Sequence, residues 1–195
     1  MNVIATKEIR NRILSGEKGQ IYMLRDFSGI TSDAVVATIM SRLEKEGLLV
    51  RLSQGIYLYP KRTRFGIVYP TTEEIARAIA AKDGARIIPS GLTALNKLGL
   101  STQVPMKAIY LTDATAREIK VNGQTLIFKR TTPRIFMYTT SFFSMVVTAL
   151  KQIGEKKVSE SEILHVKKLM QEFPDQDALK NDYNLAPIWI KKALA

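Results

Sequence analysis

Few residues in this sequence have the type and spacing that chemistry needs. Glu73-Glu74 is a carboxylate pair of the kind used for general acid–base work, but a place in the first turn of a helix explains both acids. Ser90-Gly91 follows a short apolar run, as a nucleophile after a strand would. No GxSxG pattern surrounds it, the only histidine (His165) is far along the chain, and a helix cap is the better reading. Asp113 ends an apolar run and reads as a turn residue. Cysteine is absent, which excludes disulfides, thiolate metal sites, iron–sulfur clusters and cysteine nucleophiles together. A single histidine leaves little room for a zinc site or a His-dependent triad. Gly84, Gly91, Gly99 and Gly123 do not form a phosphate loop. The sequence therefore names no catalytic residue, no metal ligand and no cofactor, and an enzyme is not expected.

Charge is the chemistry that remains. The 195 residues carry 29 Lys+Arg against 18 Asp+Glu, a formal net charge of +11. Residues 1–64 hold 11 basic and 6 acidic side chains, net +5, so the first third is nearly twice as basic per residue as the rest. Lys61-Arg62-Thr63-Arg64 is basic without an acidic interruption. Such an excess favours nucleic acid or an acidic protein as partner, with a merely solvated basic face as the alternative. No segment approaches the roughly 18 consecutive apolar residues of a membrane span. The start, MNVIATKEIRNRIL, has charges where a secretory signal needs an apolar core. A soluble, cytoplasmic protein is expected.

The elements that would position this charge follow from periodicity. Thr6 to Ser15 reads as a helix capped by Thr6 and stopped at Gly16, with Ile9 and Ile13 inward. IYMLRDF at 21–27 leads into a short second helix. A stronger helix begins after Thr31 or Ser32. At 100° per residue, Val35, Val36, Ile39, Leu43 and the stem of Glu46 share one side, with Met40 flanking. Ala34, Ala37, Thr38, Ser41 and Lys45 lie opposite, with Arg42 on the margin. Small outer residues let a backbone approach a groove floor, and Thr38, Ser41, Arg42 and Lys45 could meet bases or phosphates. The alternative is a helix packed on both sides. LLVRLSQGIYLYP then reads as two strands around a Gln54-Gly55 turn. Helix, short helix, long amphipathic helix and β-hairpin is the winged helix-turn-helix order, which also occurs in protein-interaction modules.

Beyond this, residues 61–70 read as a docked junction. Thr71 or Thr72 caps a helix through Ile75 and Ile79 to Asp83-Gly84. Arg86–Pro89 reads as a strand, and Ser90 caps a helix to Gly99. Met106–Thr112, Arg117–Val121 and Thr125–Thr131 read as strands of a small, mostly antiparallel sheet, with Asn122-Gly123 as hairpin turn. Ser141–Ile153 reads as a buried helix. Ser159 caps another, and the tail holds helical pieces at Asp177–Tyr183 and after Pro187.

The segments DFSGITSDAVVATIMSRLEKEGLLVRLSQGIYLYPK, TTEEIARAIAAKDGARIIPSGLTALNKLGLSTQVPMKAIYLTD and TLIFKRT follow one another in an order that resembles the DUF6088 proteins. These are related to the AbiE-type (AbiEi) antitoxins of type IV toxin–antitoxin systems. The resemblance covers about residues 6–155, and PSGLTALNKLGLSTQVP is its most specific part. It implies a bacterial repressor whose N-terminal winged helix binds its own operator. It also implies a larger C-terminal domain that counters a nucleotidyltransferase-like toxin without a stable complex. The family supplies no catalytic residues.

The expected fold is α+β: a winged helix-turn-helix at 1–64, then an α+β effector domain at 65–195. Thr31, Ser32, Thr38, Ser41, Arg42 and Lys45 would lie on or around the recognition helix. Arg51, Gln54, Lys61, Arg62 and Arg64 would make wing or backbone contacts to double-stranded operator DNA with inverted repeats. Only the helix group could specify bases. The alternative is a protein-interaction module whose basic surface binds an acidic partner. RNA is disfavoured because the helix face lacks aromatic stacking residues.

Overall fold

The computed structural model describes residues 3–121 and 123–195. The fold is mixed α+β, with two compact units: Met1–Ala78 with Lys120–Gly123, and Ile79–Ile119 with Gln124–Ala195.

The first unit begins with α1 (Val3–Leu14), which buries Ala5, Ile9 and Ile13 at successive i, i+4 positions. The helix starts before Thr6, so Thr6 is interior and not its cap: the apolar spacing already extends back to Ala5. Strand β1 (Ile21–Met23) runs into a single 3-10 turn, Leu24–Phe27, where a second helix was expected. The Asp26 carboxylate accepts the Met23 N–H at 2.8 Å and closes that turn on itself. Helix α2 (Asp33–Lys45) buries Val36, Ile39, Met40 and Leu43. Met40 is fully buried and belongs to the centre of the stripe; Val35 is only half-buried.

Gly47 ends α2. Its φ of +77° admits the left-handed turn in which Leu48 N–H reaches Leu43 O at 3.0 Å and Gly47 N–H reaches Glu44 O at 2.9 Å. The chain then forms β2 (Val50–Ser53) and β3 (Ile56–Leu58), and the three strands make an antiparallel sheet in the order β1-β3-β2. Tyr57 sits opposite both Tyr22 and Arg51, and the β2–β3 register slips between Arg51 and Ser53. One core joins helices and sheet: Ile9, Ile13, Phe27, Met40, Leu43 and Leu49 are all buried in it. Each such side chain contributes about 1.5–3 kcal/mol by leaving water.

Residues 61–68, within the expected 61–70 junction, have regular structure of their own. They form a second, exposed hairpin, β4 (Lys61–Thr63) with β5 (Gly66–Val68). Its strands satisfy each other's inward-pointing backbone groups, and exposure leaves the outward-pointing ones to water. A boundary at Arg64 would cut it at the tip.

Helix α3 (Thr72–Asp83) is opened by a reciprocal cap: Glu74 N–H donates to the Thr71 hydroxyl, and the Glu74 carboxylate accepts the Thr71 N–H. Strand β6 (Ile87–Ser90) takes in Ser90, so Ser90 does not cap α4 (Leu92–Lys97); Gly91 holds that position with φ +58° and ψ −138°, a conformation costly for any residue with a Cβ. Strands β7 (Lys107–Thr112), β8 (Arg117–Val121) and β9 (Gln124–Arg130) complete a four-stranded sheet in the order β6-β7-β9-β8. The β6–β7 pair is antiparallel, but β7 and β9 are parallel. The sheet is therefore mixed: β8 separates β7 from β9 in sequence and lies outside them in space. Asn122 of the expected turn is outside the described residues.

Helix α5 (Ser141–Ile153) is the central helix of the second unit, with Phe143, Val146, Val147, Ala149 and Leu150 fully buried. It packs with Ile88 of β6 and with α6 (Glu160–Gln171), α7 (Gln176–Leu185) and α8 (Ile188–Leu194). Ser159 caps α6 in a capping box with Glu162. His165 places Nε2 2.7 Å from Leu98 O, so its ring is used within the fold. Among the described residues no helix is long and apolar enough to cross a membrane, and no group of three or more His, Asp or Glu could hold a metal ion.

Two depressed carboxylates make stability acid-sensitive. Hydrogen bonds from Arg86 hold Asp113 below the ordinary carboxylate range, and the Thr71 N–H does the same for Glu74. A lowered folded pKa contributes stability above the unfolded value, which disappears as pH falls through the folded one. Thermal midpoints should therefore be level from neutral pH down to about 5 and fall below about 4. Asp113→Asn should flatten part of that acid limb. An acid limb unchanged in the variant would remove Asp113 from the explanation.

Candidate nucleic-acid interface

The outer face of α2 is lined by small and hydroxylated side chains because its inner face buries four of its five large apolar ones, Val35 being half-buried. Ala34, Thr38 and Lys45 are exposed; Ala37, Ser41 and Arg42 are half-buried. Ser32 stands at the N-cap position with its hydroxyl outside any cap hydrogen bond, and Thr31 before it is half-buried. The Thr38 hydroxyl donates to Ala34 O at 2.9 Å, which leaves its lone pairs and methyl group for an outside partner. Asp33 lies in the first turn of α2 and Arg42 and Lys45 in the last, with Glu44 between the two cations. The placement of Asp33, Arg42 and Lys45 follows the helix dipole.

The β4–β5 hairpin is anchored to that same end. The Arg62 guanidinium donates to Gly47 O at 3.0 Å, just past the last turn of α2. Lys61, Arg62 and Arg64 are all exposed. At the hairpin tip the Thr63 hydroxyl accepts the Phe65 N–H at 3.2 Å and donates to Gly66 O at 3.1 Å. Gly66, at φ +114°, closes the two-residue turn. The turn holds out Arg64 and Phe65, the guanidinium 4.6 Å from the ring centroid. Phe65 is 86% exposed, the most exposed aromatic side chain among the described residues.

Arg51 lies exposed on β2, and Gln54 is exposed at the turn into β3. Burial pushes the Tyr57 phenol upward, with the Arg51 charge opposing the shift, so Tyr57 remains a neutral strut beside that cation. All eleven residues singled out from the sequence fall in the first unit. The geometry joins Arg62 to the end of α2, while Gln54 and Arg64 occupy the tips of two different hairpins. Sequence reasoning missed Phe65. Its signal was Thr63-Arg64-Phe65-Gly66 between two short extended runs, a turn pattern overlooked because the stretch reads as a basic connector.

The family model described as "Family of unknown function (DUF6088)" matches residues 8–178. The chain belongs to the DUF6088 family. The match extends into both units, runs past the residue-155 end of the sequence resemblance, takes in α6 and stops at residue 178, just inside α7. No curated protein matches the chain.

Proposed function

We propose that this DUF6088 protein is a DNA-binding transcriptional regulator of the type IV antitoxin kind, and that its first unit is a winged helix-turn-helix. The element order α1–β1–turn–α2–β2–β3 and the strand order β1-β3-β2 support that reading. The observation that carries it is the outer face of α2, small and hydroxylated, with an exposed basic hairpin fastened beside its C-terminal end. In this reading α2 enters the major groove, where Thr31, Ser32, Thr38 and Ser41 face base edges. Arg42, Lys45, Arg51, Gln54, Lys61, Arg62 and Arg64 contact the backbone. The second unit serves antagonism of a nucleotidyltransferase-like toxin without a stable complex, as the resemblance to AbiE-type antitoxins implies. The protein acts in the cytoplasm by binding, with no catalytic step.

Mobility shift against the duplex upstream of its own coding sequence tests this. Retardation that survives an excess of unrelated duplex is the expected result. Absence of any shift at low salt would favour the second reading, a protein-interaction module. That reading draws on the exposed Phe65, Val68 and Tyr69 along the β4–β5 hairpin.

The hairpin tip gives a sharper expectation. Phe65 would lie against sugar or base edges of the adjacent minor groove with Arg64 on a phosphate. Phe65→Ala should weaken binding about tenfold, the low end of what burying a large apolar side chain contributes, and leave the salt slope unchanged. Arg64→Ala should reduce the slope by about one unit. Equal salt slopes for wild type and Arg64→Ala, measured by anisotropy titration, would remove Arg64 from the interface.

A further inference from the structure

The second unit contains a cavity of about 440 Å³ between α5, the sheet and the segment that follows β9. Leu111 of β7 and Ile135, Tyr138 and Pro187 supply its apolar walls. Ser90, at the end of β6, and Thr131 and Thr132, just after β9, bring hydroxyls to it. Gln152 lines it from the last turn of α5 and lies close to Gly91: a Cβ on that glycine would stand 3.5 Å from the Gln152 side-chain oxygen. Thr148 is already committed, donating to Pro89 O at 2.9 Å and so tying α5 to β6.

Two cations open onto this space, Arg134 and Lys151, and no carboxylate lines it among the described residues. Neither cation forms an ion pair among the described residues, although Arg77, Arg86 and Arg117 each do. Burial raises the Tyr138 phenol above its ordinary value, the Arg134 charge opposing and Asp182 reinforcing the shift. The phenol is therefore a neutral group beside the cavity.

We propose that this cavity binds a small organic phosphate, with Arg134 and Lys151 on the phosphate group and the apolar wall against the organic body. A phosphate dianion matches two cations, and its oxygens accept from a guanidinium fork and from hydroxyls; a carboxylate would leave one cation unmatched. The volume lies within the range of about 300–1,000 Å³ for small-molecule sites and exceeds what a bare anion needs. Such a site would make the second unit ligand-responsive. The inference stands whether or not the first unit binds DNA.

Titration of the 15N-labelled full chain tests it, with inorganic phosphate at ionic strength balanced by chloride, then AMP and glucose 6-phosphate, then adenosine and glucose. Saturable amide shifts at Ser90, Thr131, Thr132 and Lys151 are expected with phosphate and absent with chloride. At least one ester should bind about tenfold more tightly than inorganic phosphate. An Arg134→Gln, Lys151→Gln double variant with an unchanged melting midpoint should lose at least about tenfold in affinity. Lys151→Arg should retain binding. Phosphate shifts no different from chloride, or undiminished affinity in the double variant, would overturn the site. Adenosine or glucose binding as tightly as its phosphate ester would overturn phosphate recognition.

Discussion

Asp182→Ala is expected to destabilise the second unit by about 2–4 kcal/mol, the cost of removing a buried carboxylate that accepts several hydrogen bonds. Asp182 is 0% exposed and lies on α7. Its carboxylate accepts the Thr139 N–H at 2.6 Å, the Thr140 N–H at 2.8 Å and the Thr140 hydroxyl at 2.6 Å. That hydroxyl in turn accepts the Phe143 N–H at 3.1 Å, which caps α5. One carboxylate thus fixes the N-terminus of the central helix, and the positive end of that helix favours the negative charge. Alanine would leave the Thr139 and Thr140 N–H groups without their acceptor and the Thr140 hydroxyl without its partner, each costing about 1–3 kcal/mol where water does not replace the carboxylate. Asparagine keeps the shape and one acceptor but presents an amide N–H₂ to facing donors, so a loss of about half as much is expected. Urea unfolding of the three proteins measures this. An alanine variant within about 1 kcal/mol of wild type would show that Asp182 does not organise the helix terminus.

The second large effect belongs to the proposed interface. Arg42→Ala with Lys45→Ala should weaken binding to the upstream duplex about a hundredfold or more at moderate salt. Both side chains sit in the last turn of α2, beside the hairpin that Arg62 anchors. Each lost phosphate contact removes about 0.9 from the slope of log K against log salt, so the double variant should lose about one to two units. Lys45 is exposed and its removal leaves the core intact; Arg42 is half-buried, so its stem also covers apolar surface. A melting curve of the variant separates folding loss from binding loss. A folded double variant with wild-type affinity and slope would reject this face.

Much of the local structure is legible in the residues. Thr71 with Glu74 and Ser159 with Glu162 are capping pairs three apart, and both cap as that spacing predicts. The apolar run of α5 marks its bounds, Ser141 to Ile153, because a helix buried on most sides leaves little ambiguity. Gly47 announces the end of α2. Pairing over distance is less legible. Lys61–Val68 carries a basic strand and a weakly apolar one, and neither has the alternation of a half-buried hairpin, since most of its side chains are exposed. The parallel β7–β9 pair depends on which strand β9 joins, and a tight turn after β8 says nothing about that. Asp182 is an ordinary helix acid until the fold brings it to Thr140, 42 positions earlier. The cavity is dispersed in the same way, from Ser90 to Pro187.

Chemical-shift mapping of the labelled chain with its upstream duplex tests the DNA-binding reading most directly. Perturbations concentrated on the outer face of α2, the β2–β3 turn around Gln54 and the β4–β5 tip at Arg64 and Phe65 are the expected result. Saturating duplex that leaves the α2 face unshifted, or shifts confined to the second unit, would contradict it.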